Sequence, residues 1–172
     1  NDLWRYDPVS GNWTWMAGSD KVNQGTVRTS ETGNGRTPGG REAAVSWRDN
    51  NKVLWLFGGW GRDAADEEGW LNDLWRCDPA AGSWTFVKGG SGIDEKGTYG
   101  NQGEPGSLNV PGGRNYAASW SDGSGRLWLF GGCGVDGYGK RGVLNDLWCY
   151  DTSSWNWTWM AGSDRTEREG NY

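Results

Sequence analysis

The chain has 172 residues, 31 of them glycine and 15 tryptophan, with 34% in the hydrophobic set, 14% aromatic and a formal net charge of −5. Burial must then be concentrated in large rings, each removing roughly 150–250 Å² from water, and so many aromatics argue against a disordered polymer. The acidic balance, with no basic cluster longer than Lys140-Arg141, argues against a nucleic-acid surface, and no apolar run approaches the roughly 20 residues of a membrane-spanning helix.

The chain opens on Asn1-Asp2-Leu3-Trp4, and Leu-Asn-Asp-Leu-Trp recurs at Leu71 to Trp75 and Leu144 to Trp148. The aspartates Asp2, Asp73 and Asp146 stand 71 and 73 residues apart. So regular a period marks a tandem repeat, which decides the fold before any local pattern does. In chain order, the predicted strands of the first unit are 1–7 and 12–16. Those of the second are 41–47, 53–59, 71–78 and 83–88, and those of the third are 114–120, 126–132, 144–151 and 155–160. Short strands divided by Gly-, Asn- and Asp-rich turns are an all-β signature. The run Val53-Leu54-Trp55-Leu56-Phe57 is apolar at successive positions, so both faces of its sheet need covering. Four-stranded antiparallel meanders stacked about an axis, a β-propeller, meet that demand.

The residues that recur resemble the kelch repeat, in a long form like that of galactose-oxidase-like propellers. They are Leu54-Trp55-Leu56-Phe57-Gly58-Gly59 with Leu127-Trp128-Leu129-Phe130-Gly131-Gly132, the Asn-Asp-Leu-Trp units followed by Tyr6-Asp7, Cys77-Asp78 or Tyr150-Asp151, and the closing Trp13, Trp84 and Trp157. The repeat exceeds the ~50 residues usual for kelch, the extra length lying in two loops. The resemblance implies two complete kelch-type blades of four-stranded antiparallel sheet plus the outer half of another. Residues 1–40 form that half-blade with its connection, 41–113 a complete blade with its connection, and 114–172 a complete blade with a tail, all in one propeller. Further blades, from a longer chain or another chain, are expected to close the ring, since propellers have four to eight. The resemblance also makes Arg41 and Arg114 inter-blade ties, while Asp73 and Asp146 are expected to accept backbone donors of turns.

Subtracting the repeat isolates what could carry function. Twelve tryptophans occupy periodic positions and are expected in the core; Trp60, Trp70 and Trp155 do not repeat. In a meander, loops 60–70 and 133–143 emerge on the same face as the inter-blade connections 17–40 and 89–113. Irregular loops bearing aromatics and charges are where propellers bind. Trp60, Asp63, Trp70, Tyr99, Asp136 and Tyr138 are therefore the expected contact residues, with a protein or glycan as partner.

No histidine occurs, which removes the usual general base and the commonest copper or zinc ligand. A non-catalytic scaffold is expected, with no cofactor or metal. The alternative is a piece of a larger galactose-oxidase-like or carbohydrate-active enzyme whose catalytic residues lie outside the chain; a filament or surface-layer unit is a third. The run Asp63, Asp66, Glu67, Glu68 offers oxygen ligands for calcium but lacks the spacing of an EF-hand loop. Asn12 and Asn156 sit in Asn-x-Thr sequons, where the repeat already accounts for their recurrence. Cys77, Cys133 and Cys149 are expected as free thiols, because the Cys133 and Cys149 strands would place the two at opposite ends. The resemblance suggests an extracellular or cell-surface setting.

Overall fold

A computed structural model describes residues 1–22, 27–28 and 36–168. Parts of the predicted connection 17–40, namely 23–26 and 29–35, lie outside the described residues, as do 169–172. The strands are β1 (Leu3–Asp7), β2 (Asn12–Ala17), β3 (Val27–Arg28), β4 (Arg36–Thr37), β5 (Arg41–Glu42), β6 (Val45–Arg48), β7 (Leu54–Phe57) and β8 (Trp60–Arg62). They continue with β9 (Glu68–Trp70), β10 (Leu74–Asp78), β11 (Ser83–Lys88), β12 (Arg114–Asn115), β13 (Ala118–Ser121), β14 (Arg126–Val135), β15 (Arg141–Asp151) and β16 (Asn156–Ala161).

Sheet order is β11-β10-β7-β6 in the second unit and β16-β15-β14-β13 in the third, with β1-β2 alone in the first. All pairings are antiparallel, so each complete unit is the meander the period implies. Registers repeat as well: Trp4↔Trp15, Trp75↔Phe86 and Trp148↔Trp159 are equivalent, as are Tyr6↔Trp13, Cys77↔Trp84 and Tyr150↔Trp157. A two-residue side-chain period leaves no freedom here, since a slip of one would turn every ring to the other face.

The predicted first strands each split in two. Ala43 and Tyr116 adopt positive φ (50° and 55°), which breaks 41–47 and 114–120 into an outer piece and an inner piece. The outer pieces β5 and β12 pair beyond the double glycine, Arg41 with Gly61 and Arg114 with Gly134. Gly58-Gly59 and Gly131-Gly132 have φ of 64°, 100°, 63° and 99°, a conformation that L side chains rarely adopt. In the third unit strand two does not end there; it is displaced by a register shift between Phe130 and Gly132 and runs on to Val135, whereas in the second β7 stops at Phe57 and pairing resumes at Trp60 as β8. Loops 60–70 and 133–143, expected to be irregular, are therefore β-hairpins that lengthen the blades.

Blades two and three pack face to face. The ring of Trp55 meets Tyr150 at 5.4 Å between centroids, and Phe57 meets Trp157 at 5.5 Å. Trp47 Nε1 donates to Trp128 O across the interface (2.9 Å), as do Gly59 N to Arg114 O (2.8 Å) and Tyr116 N to Ala43 O (3.1 Å). Trp155, which did not repeat, takes the left-handed turn position occupied by Gly11 and Gly82 (φ 62°, 71° and 64°). Its ring lies edge-on to Trp55, with Arg76 over its face at 5.6 Å. An inter-blade contact thus compensates the backbone conformation.

The assignment of all twelve periodic tryptophans to the core needs correction. Trp47, Trp55, Trp75, Trp148 and Trp157 are buried, but Trp4, Trp13, Trp15 and Trp120 are 45–65% exposed. A blade's rings are buried by the neighbouring sheet and not by their own, so the outermost sheet faces leave equivalent positions uncovered. A cavity of about 580 Å³ lies between Asn1, Asp2 and Leu3 of the first unit and the blade-two face that carries Trp47, Leu54, Leu56 and Trp84. Leu127 and Leu129, which correspond to Leu54 and Leu56, are fully buried at the blade interface. The cavity is architectural surface.

The cysteines are free. Burial pushes the Cys77 thiol up to about 11, with Asp78 adding to the effect, and burial does the same for Cys149, also to about 11. The thiolate is the reactive form, so Cys77 and Cys149, buried and held as thiols, are expected to react slowly with Ellman's reagent at pH 8, and a rapid phase is expected only from Cys133, which is half-buried. A rapid phase that persists in Cys133→Ser would contradict this assignment.

Candidate binding face

Three levels of repeated backbone chemistry build the rim that carries the hairpins. After each fourth strand, Gly18, Gly89 and Gly162 take φ of 95°, 104° and 82°, and a Cβ at each would run into the carbonyl oxygen of Asn1, Asn72 or Asn145. The next amide donates to the side chain of that asparagine: Ser19 N to Asn1 Oδ1 (3.2 Å), Gly90 N to Asn72 Oδ1 (2.8 Å), Ser163 N to Asn145 Oδ1 (3.0 Å). The first residue of the Asn-Asp-Leu-Trp unit is thus a clamp on the outgoing chain.

The second level is the aspartate. Arg41 is paired with Asp73 through two hydrogen bonds of 2.6 and 2.8 Å, and Arg114 with Asp146 at the same distances. Trp75 Nε1 donates to Asp73 Oδ2 (2.5 Å) and Trp148 Nε1 to Asp146 Oδ2 (2.7 Å). Two expectations are corrected here. These aspartates serve arginine and indole donors, not turn amides, and each arginine side chain ties strands within its own blade. The inter-blade tie is made by the backbone of Arg114, whose N donates to Leu71 O (3.1 Å) and whose O accepts from Gly59. Burial works against both charges of the 114–146 pair, yet mutual attraction holds the Asp146 carboxyl below its ordinary range and raises Arg114 further.

The third level is the hairpin tip. Asp63 Oδ1 accepts the amides of Ala65 (2.8 Å) and Glu67 (2.9 Å), and Asp136 Oδ1 accepts those of Tyr138 and Lys140 (both 2.8 Å). Asp136 Oδ2 also takes the amide of Thr166 (3.0 Å) and, at 3.4 Å, its hydroxyl. Burial alone would raise the Asp136 carboxyl; the amides of Thr166, Lys140 and Tyr138 hold it low instead. Asp63 and Asp136 are buried. They shape the tips and present no carboxylate to a partner, contrary to their expected contact role. Arg62 bridges Asp66 (3.4 Å) and Glu68 (3.9 Å) of the acidic run.

Tyr99 is likewise not on the surface. The connection 89–113 turns back along its following blade: Gly103 N donates to Trp159 O (2.8 Å), Gln102 Nε2 to Met160 O (3.0 Å) and Gly106 N to Trp157 O (3.3 Å). Covering β16 in this way occupies carbonyls that would otherwise invite edge pairing. Tyr99 anchors the strap, its ring buried against Trp148 and Trp159 and its hydroxyl donating to Asp146 Oδ2 at 2.6 Å. Burial, reinforced by Asp146, raises this phenol far above its usual range. Tyrosine within a Gly-rich loop gave no local sign of this role.

Trp60 and Trp70 do come together. They are directly opposed across β8 and β9, edge to face at 5.2 Å, and both are half-buried. Trp70 Nε1 donates to Asn115 Oδ1 (3.1 Å), and the Arg141 guanidinium lies 5.7 Å from its ring while pairing with Asp94 at 2.6 Å. Tyr138 stands apart from this pair and is 64% exposed. It borders a cavity of about 310 Å³ between the 136–140 tip and residues 165–168. The Arg165 guanidinium covers one part of its ring at 4.3 Å. Sequence reasoning missed Lys140, Arg165 and Arg168, which line the same cavity; their only signal was a local departure from the acidic balance.

With this geometry in view, the comparisons with known proteins agree on architecture. Residues 114–164 match the family model described as Kelch motif. The chain aligns in structure with one titled "Structure of YjhT" at a TM-score of 0.54 and 16% identity, over 88% of this chain and 41% of that one. The chain therefore spans less than half the length of that relative, and the likeness is one of fold. No curated protein matches it in sequence. The third unit carries a kelch motif, and the four-stranded meanders are blades of the β-propeller type.

Proposed function

We propose that the chain is a non-catalytic interaction module that receives a partner on the rim formed by its hairpin tips. The observation that carries this reading is the exposed Tyr138 beside an open cavity, held on a tip whose backbone is fixed by Asp136. A rigid frame presenting an aromatic ring is an economical contact surface, because little side-chain freedom is lost on binding. The carboxylates that a catalytic reading would use, Asp63, Asp136, Asp73 and Asp146, are each committed to structural donors, which supports a scaffold. A protein partner and an extracellular setting belong to the same reading.

The test is to probe peptide and glycan arrays with the purified chain and two variants. Tyr138→Ala alters the rim, and Val9→Ser alters a fully exposed position in the hairpin turn at the opposite end of the blades. Ligands found with the parent chain should bind at least about 10-fold more weakly to Tyr138→Ala and equally to Val9→Ser. Equal loss in both, or turnover of an arrayed glycan, would overturn the reading.

A further inference from the structure

The hairpin tips of blades two and three share one backbone and carry opposite charge. Beyond the amides taken by Asp63 and Asp136, the segments after the fourth strands are held alike, Asp94 N donating to Trp70 O (2.7 Å) and Glu167 N to Val143 O (3.1 Å). On this common frame, Ala65 corresponds to Tyr138, Glu67 to Lys140, Gly92 to Arg165 and Glu95 to Arg168. A side chain that the frame required would be of one kind in both copies. These are not, so the scaffold does not account for them.

The charges in the blade-three cavity are also unbalanced. Lys140, Arg165 and Arg168 line it together with Glu167. The carboxylate of Asp136 is saturated by its hydrogen bonds, and Glu167 Oε1 lies against the amide of Val143 (3.3 Å). Lys140 and Arg168 have no ion-pair partner among the described residues. Lys140, Arg165 and Arg168 line one cavity, and like charges gathered at one site repel one another. Arg165 lies over the Tyr138 ring, but Lys140 and Arg168 have no such partner among the described residues, and an incoming anion relieves the excess.

We propose that this cavity is the receptor for an acidic segment of a protein partner, with an Asp or Glu carboxylate seated among Lys140, Arg165 and Arg168 beside the Tyr138 ring. The inference rests on the rim reading above and names the chemistry recognised there. The planar guanidinium of Arg165, held in place by Tyr138, suits the two oxygens of a carboxylate. Glu167 in the same wall opposes a dianionic phosphate more strongly than a singly charged carboxylate, and it can accept a peptide amide. The adjoining blade-two tip decides against a long polyanion. Asp66, Glu67, Glu68 and Glu95 make it acidic, and the Arg141–Asp94 ion pair (2.6 Å) brings the two blades' rims together. An acidic glycan or a nucleic acid running across both would be repelled at the second. A protein segment can present acid to one tip and base to the other, and such complementary patterning sets register and partner choice.

The experiment uses the whole chain and fluorescein-labelled peptides read by anisotropy at 50 and 300 mM salt, roughly bracketing physiological screening. The probes are a six-glutamate peptide, its six-glutamine counterpart, a peptide with three glutamates and three lysines separated by a Gly-Ser spacer, and a glucuronic-acid oligosaccharide. The glutamate peptide should bind, the glutamine peptide should not, and the mixed peptide should bind tightest. Lys140→Glu with Arg168→Glu should weaken the glutamate peptide at least about 10-fold. These exposed side chains are outside the core, and an unchanged melting temperature verifies the fold. Lys140→Ala with Arg168→Ala should give an intermediate loss. Equal binding of the glutamine peptide, unchanged binding by both double variants, or preference for the oligosaccharide would overturn the proposal. Array ligands that depend on Tyr138 but are insensitive to the charge reversals would refute this inference and leave the rim reading standing. Ligands insensitive to Tyr138→Ala would refute the rim reading itself.

Discussion

Replacing Asp146 with asparagine is expected to destabilise the fold by about 3–5 kcal/mol, because the Arg114 guanidinium is then buried without a counter-charge. Both side chains are essentially inaccessible, and the amide keeps a single acceptor oxygen, so its NH2 must face either Arg114 or the Tyr99 and Trp148 donors. Denaturant titration measures the loss; a change below about 1 kcal/mol would refute the charge-pair account. Tyr99→Phe should cost much less, on the order of 1 kcal/mol, since its ring still fills the site. The pair also sets a pH dependence. Asp146 is held below the ordinary aspartate value of 3.8, so its stabilisation is fully present above that value. It is lost as pH falls below 3.8 and through the folded-state value. Acid unfolding of the parent chain should therefore steepen below about pH 4. The double variant Arg114→Met with Asp146→Leu, which removes both charges but leaves the Tyr99 and Trp148 donors without their acceptor, should show a shallower slope.

Trp157→Ala is the second large effect, expected to cost about 3–5 kcal/mol. The ring is fully buried and joins the blades, touching Phe57 across the interface and Trp148 and Tyr150 within its own sheet. Trp157→Phe provides the informative contrast. The indole Nε1 is buried with no hydrogen-bond partner, as is the hydroxyl of Tyr150, and an unsatisfied buried donor costs about 1–3 kcal/mol. Phenylalanine forfeits some contact area but removes that penalty, so its loss should be less than half that of alanine. Equal losses would mean that the indole nitrogen is satisfied in solution.

The blade pattern was legible because strands advertise themselves locally. Each predicted strand overlaps an observed one, and the double glycines mark where strand two is displaced. Their reading as strand ends holds for β7, which stops at Phe57, and fails for β14, which runs on to Val135, since a bulge and a terminus both call for positive φ and differ only in whether a partner strand continues alongside. Trp60 and Trp70 were singled out as non-repeating and do meet across β8 and β9. Nothing local distinguished the buried Tyr99 from the exposed Tyr138. Nor could spacing separate Trp75, fully buried, from the equivalent and half-exposed Trp4. The contact that makes the difference comes from a neighbouring sheet.

By itself the sequence determined the repeat, the meander within each blade, the propeller-type architecture and the absence of histidine. These depend on spacing, alternation and residue type, which act over a few residues or recur at a fixed period. Tertiary structure alone decided that Asp73 and Asp146 answer Arg41 and Arg114, that the 89–113 connection straps the edge of β16, and that Lys140, Arg165 and Arg168 gather around Tyr138. Each of these joins residues more than 20 positions apart through charge or burial. Such partners become definite only when packed sheets exclude water and bring the chain segments together.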